Sequence, residues 1–179
     1  MFFSRKSTLE RLPIVMTGVR MGERALQIGI DDSSLTGAIA AKVGLSGHAA
    51  VAVSDARQAA RAEAAATQAG ALIDVHVASL DLLPFLPDSF DLVVVHAGGV
   101  PVGMDELSGV AILRDSHRVL RPGGRVVIME GGARDLLRRL HTRRISSTDT
   151  RLNSLRSAGF NAARLLAERE GYRFFEAVK

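Results

Sequence analysis

LPFLPDSFD, Leu83 to Asp91, runs into the apolar stretch Leu92 to Val95, and after a helical interval the chain reads RVLRPGGRVVIME, Arg118 to Glu130. Leu92 to His96 and Arg125 to Met129 are strand-length segments dominated by valine and isoleucine and bounded by Pro, Gly, Asp and Ser. Between them, Asp105 to Leu120 reads as a helix. Pro122-Gly123-Gly124 forbids its continuation, because proline lacks the amide donor and its ring clashes with the preceding turn.

Working outward, the same alternation recurs. Strands are expected near Ala25 to Gly29, Ala50 to Ser54 and Ile73 to Ala78, with helices near Ser34 to Val43 and Ala56 to Ala69. The second of these helices is alanine-rich, which favours it intrinsically. Gly44 and Gly70 follow the helix ends, where a residue of positive φ commonly closes the last turn. A further helix starts at Thr148 or Asp149, either of which can cap it, and stops at Gly159. FNAARLLAERE and GYRFFEAVK then read as two strands joined at Glu170-Gly171, and a short N-terminal helix, Thr8 to Val19, is expected to bend or break near Pro13. Strand-length apolar runs alternating with helices imply a mostly parallel sheet covered on both faces.

Composition narrows the chemistry. The 179 residues suit one core, and the absence of cysteine removes disulfides, thiolate metal sites and a cysteine nucleophile together. No histidine and carboxylate pair has helical ligand spacing, so no metal is expected, and neither a nucleophile elbow nor a phosphate loop is present. The formal charge is +4, and arginines gather in Arg134 to Arg144, a solvated face by the plainer reading and a phosphate-binding cluster by the other. Aromatic residues are too few for stacking along a nucleic-acid strand. No signal peptide or membrane span is apparent, so the cytoplasm is the expected location.

The two quoted segments resemble the second half of a class I methyltransferase domain, the family that uses S-adenosylmethionine (SAM). There an LPF-x-D-x-SFD stretch precedes the fourth strand, and RVL-[KR]-PGG closes the next helix and opens the fifth. AGF at Ala158 to Phe160, before the final strand pair, is similar as well. The resemblance covers residues 22–179 and leaves 1–21 as an N-terminal helical segment. It implies an α/β, Rossmann-like fold: seven strands, mostly parallel, an antiparallel C-terminal pair, and helices on both faces. It also implies SAM as cofactor and a small molecule as substrate.

The same resemblance places the cofactor contacts. The first glycine-rich motif falls on Ala25 to Ser33, keeping Gly29 but putting Gln27 where an acid usually stands and Asp31 where a second glycine does. Ser54 falls where an acid usually holds the ribose, with Asp55 one residue later as either a displaced ribose ligand or a helix cap. Ser79 replaces the aspartate that holds the adenine amino group, and Leu80 lines an adenine pocket or packs in the core. His96 ends the fourth strand, where it is either a general base or a ring that fills a polar corner by hydrogen-bonding a backbone group. Gly98-Gly99 reads as loop glycines, or as backbone that a ligand can approach. The stretch after His96 lacks the signature of enzymes that methylate bases, which argues against a nucleic-acid substrate.

Two activities follow. One is a SAM-dependent methyltransferase acting on a small molecule, with His96 as its chemistry-bearing residue. The other is a non-catalytic relative serving as a partner subunit or homo-oligomer, or binding another ligand, since Gln27, Asp31, Ser54 and Ser79 all depart from the pattern and imply weakened or lost cofactor binding. RNA binding through the arginine cluster rests on charge alone.

Overall fold

A computed structural model describes residues 11–100, 106–131 and 147–179. One seven-stranded sheet has the order β3-β2-β1-β4-β5-β7-β6. Its strands are β1 (Arg24–Ile28), β2 (His48–Val53), β3 (Asp74–Val77), β4 (Phe90–His96), β5 (Leu120–Gly131), β6 (Asn161–Arg169) and β7 (Tyr172–Val178). The first five run parallel, whereas β7 pairs antiparallel with both β5 and β6. Strand order reverses between β1 and β4, which opens a crevice beyond their carboxyl ends.

Helices cover both faces. On one lie α1 (Leu12–Thr17), α2 (Ser33–Val43) and α3 (Ala56–Ala69), burying Ile14, Leu35, Ile39 and Ala62 against the sheet. On the other, α4 (Glu106–Val119) and α5 (Thr148–Ser157) bury Leu113 and Leu155 against Val93, Val126 and Phe175. Strands β1, β2 and β4 are buried along nearly their whole length, as a sheet covered on both faces requires.

The LPF stretch owes its position to α4. Buried Asp115 accepts the Leu83 backbone N–H at 2.6 Å and also pairs with Arg118, whose guanidinium donates to the carbonyls of Leu83 and Phe85. Backbone bonds from Asp88 and Ser89 to the carbonyls of Arg118 and Val119 then deliver the chain into β4. Each motif is thus one half of a joint between the loop before β4 and the helix before β5.

Some boundaries differ from expectation. Arg11 is extended and Pro13 sits in the first turn of α1, where its missing N–H would be unpaired anyway, so the proline starts this helix and does not bend it. The expected start at Thr8 lies outside the described residues. Helix α4 stops at Val119, and β5 begins at once: Phe90 pairs with Leu120 but Leu92 with Arg125, so Pro122 and its glycines bulge from the strand's first half. Asp105 and the arginine cluster, Arg134 to Arg144, lie outside the described residues. Among the described residues no helix is long and apolar enough to cross a membrane.

Candidate functional site

The crevice begins at Gly29, directly after β1. Its φ of +72° suits glycine, and its N–H continues the parallel ladder to the Ala52 carbonyl at 2.9 Å before the chain turns outward. Ile30 drops into the apolar cluster under α3, and Asp32 caps α2 by accepting from the Ser34 N–H at 2.9 Å. Arg11, ahead of α1, donates to both Asp32 and Ser34, so the N-terminal helix is moored at the rim of the crevice. Burial raises the Asp32 carboxyl, but the Ser34 hydrogen bonds and the Arg11 guanidinium together hold it below the usual range.

Opposite this turn, Ala97–Gly99 forms a short 3₁₀ turn after β4, packed on the β1 loop. A Cβ at Gly99 would stand 2.3 Å from the Ile30 amide nitrogen, one at Gly98 would stand 2.5 Å from Asp31 Oδ2, and one at Gly29 would stand 2.9 Å from the Gly99 carbonyl carbon. Gly29 and Gly99 therefore admit the protein's own backbone, and Gly98 the Asp31 side chain, where the sequence had left a ligand's approach open. Asp31 lies in this closure, and its carbonyl accepts from Arg61 at 3.0 Å.

His96 and Gln27 meet inside the sheet's α2-covered face. They are 2% and 1% exposed, and His96 Nε2 lies 3.0 Å from Gln27 Oε1, while Gln27 Nε2 donates to the Thr36 carbonyl at 3.1 Å. His96 thus finds its partner in the Gln27 side chain on the neighbouring strand and not in the backbone group expected for a ring in a polar corner. Burial pushes its pKa down to about 4, against an opposing pull from Asp32, so it is neutral at pH 7 and a feeble base. Between the unfolded value near 6.5 and about 4, the unfolded chain binds the proton more readily. This contribution to stability is therefore complete above pH 6.5 and is lost as pH falls through that window, at up to about 1.4 kcal/mol per pH unit. His96→Gln should flatten that part of the stability profile in urea titrations; an unchanged slope would assign it to other groups.

At the carboxyl end of β2, Asp55 caps α3. Its Oδ1 accepts from the Gln58 N–H at 2.8 Å and its Oδ2 from the Gln58 amide and Ser54 hydroxyl. The Gln58 hydrogen bonds hold its carboxyl below the ordinary value. Past β3, Leu80 is buried in the core below the crevice, and Ser79 donates to Asp81. The sequence analysis passed over Asp81, an acid two residues beyond Ser79, whose carboxylate stands on the loop after β3.

The Asp55 and Asp81 carboxylates retain lone pairs for hydroxyl or amino donors. The Gly98-Gly99 turn packs directly against the Asp31 side chain and the Ile30 backbone. Gln27, whose side chain is turned inward onto His96 and Thr36, is not presented to a ligand in this arrangement.

Comparison with known proteins gives the relatives. The family described as "Methyltransferase domain" matches residues 26–128. A ubiquinone/menaquinone biosynthesis C-methyltransferase from Geotalea daltonii is 43% identical over 67 residues, 37% of this chain and 26% of the relative, so the match spans about a quarter of that protein. Among solved structures, a SAM-dependent methyltransferase from Aquifex aeolicus superposes with a TM-score of 0.72 at 14% identity, covering 92% of this chain and 86% of the other. One from Methanosarcina mazei gives 0.65 at 20% identity, covering 96% and 99%. At such identities these two likenesses establish the fold.

Proposed function

We propose that this chain, which belongs to the class I SAM-dependent methyltransferase family, transfers a methyl group to a small-molecule acceptor at the crevice between β1 and β4. The observation that carries the reading is the extent of the family match, which takes in the whole crevice: β1 and its Gly29 turn, the ends of β2 and β3, and His96 on β4. When bound, SAM supplies an electrophilic methyl group on a sulfonium centre.

The chain's own residues set how well such a ligand is held. Asp55 and Asp81 are the acceptors for its nucleoside end, while Leu80 packs in the core beneath them. Asp31 suits an ammonium but repels a carboxylate, by roughly 4 kcal/mol for unit charges about 4 Å apart at an effective dielectric near 20. His96, neutral and buried, takes little part in proton removal.

Calorimetric titration with SAM and S-adenosylhomocysteine tests this directly. Saturable binding in the range of hundreds of micromolar is expected, near −5 kcal/mol. A dissociation constant of about 10 μM or tighter would mean that Asp31 holds the ammonium and that the β4 turn yields at little cost. Absence of binding for both ligands at about 1 mM would overturn the assignment.

A further inference from the structure

We propose that Gln27 is a positioning residue: it fixes the His96 imidazole as the Nε2–H tautomer and so leaves Nδ1 as the ring's hydrogen-bond acceptor in the proposed methyl-transfer site. The inference rests on the reading of that crevice as the reaction site.

The direction of every hydrogen in the chain is forced from one end. Thr36 contributes a backbone carbonyl, which can only accept, so the Gln27 atom 3.1 Å away must be the amide nitrogen. The amide oxygen is then the atom facing His96 at 3.0 Å, and it too can only accept. His96 Nε2 must therefore carry a proton. A neutral imidazole carries one proton, so Nδ1 holds the lone pair. Burial keeps the ring neutral well below pH 7, so the second nitrogen is not protonated there.

The sheet makes this contact available. Gln27 pairs with Val94 across the β1–β4 ladder, and His96 lies two residues further along β4 on the same face. Both side chains are buried, so the chain exchanges little with water. Charged neighbours shape the surroundings: Asp32 acts on the ring electrostatically and is itself paired with Arg11 at 3.1 Å.

Glutamine is also the residue this chain of bonds requires. It offers a donor at one terminal atom and an acceptor at the other. An ionised glutamate would turn an acceptor on the Thr36 carbonyl and place a negative charge against His96, favouring the doubly protonated imidazolium. Leucine would fill a similar volume and direct nothing.

Long-range proton–nitrogen NMR of the ligand-free protein at neutral pH tests the proposal, with His96 signals identified by their loss in His96→Gln. The wild type should show a protonated Nε2 and an unprotonated Nδ1. Gln27→Leu should shift His96 toward a tautomer mixture, and Gln27→Glu should raise its titration midpoint by about 1–3 units. A wild-type ring protonated on Nδ1, or a His96 spectrum unchanged in Gln27→Leu, would overturn the proposal. The wild-type spectrum decides the tautomer even if a variant fails to fold. None of these readouts needs SAM, so failure of the methyltransferase reading shows separately, in the calorimetric titration.

Discussion

Glu130→Gln should destabilise the protein by about 3–5 kcal/mol, the usual cost of breaking a buried ion pair from one side. Glu130 lies near the end of β5 and is shared by two arginines. Its Oε1 accepts from Arg151 Nε of α5 at 2.6 Å, and its Oε2 from Arg173 Nη2 of β7 at 2.5 Å. The side chains are 12%, 5% and 12% exposed for Glu130, Arg151 and Arg173, so water replaces little of what the carboxylate provides. Glutamine keeps the shape but withdraws the charge and turns an N–H₂ toward a guanidinium that also donates. At roughly 2–4 °C per kcal/mol for a chain of this size, thermal unfolding should fall by on the order of 10 °C. A loss below about 1 kcal/mol would show that the cluster behaves as a solvent-exposed pair.

Gly99→Val should cost about 3 kcal/mol or more, at or beyond the upper end of overpacking. The added Cβ would stand 2.3 Å from the Ile30 nitrogen and 2.5 Å from its carbonyl carbon, and both are backbone atoms with no rotamer to escape into. Either the 97–99 turn lifts from the β1 loop or β1 shifts against β4. Urea denaturation measures the cost, and a change of less than about 1 kcal/mol would show that the turn is only loosely seated. Gly99→Ala, the milder wedge, separates stability from binding. If the closure is what weakens the ligand's aminoacyl contacts, this variant binds SAM more tightly than the wild type while being less stable. Equal affinity would place the ligand's tail elsewhere.

Much of the fold was legible because its signals are local. Valine-rich runs of strand length, the glycines after α2 and α3, and the Pro122 break each act within a few residues, so they carry the same meaning in any context. LPF and RVLRPGG told more through the family resemblance alone, since the contacts by which Asp115 and Arg118 hold Leu83 and Phe85 join segments far apart in the chain. At the site, Asp55 shows the limit: an aspartate one residue past the expected place was read both ways, and its hydrogen bonds to Gln58 make it a cap first.

What the sequence could not reveal depends on the β1–β4 register. Gln27 and His96 are 69 positions apart, and they touch because two strands distant in the chain are neighbours in the sheet. Read alone, Gln27 looked like a lost acid; in the fold it is the link between His96 and Thr36. Gly98 and Gly99 likewise looked like freedom for a ligand, until the sheet laid them against Ile30 and Asp31. Sequence by itself determined the elements and the family, since propensity and punctuation act along the chain. The packing of one loop on another decided the state of the site, because contact distances between remote residues are properties of the assembled sheet alone.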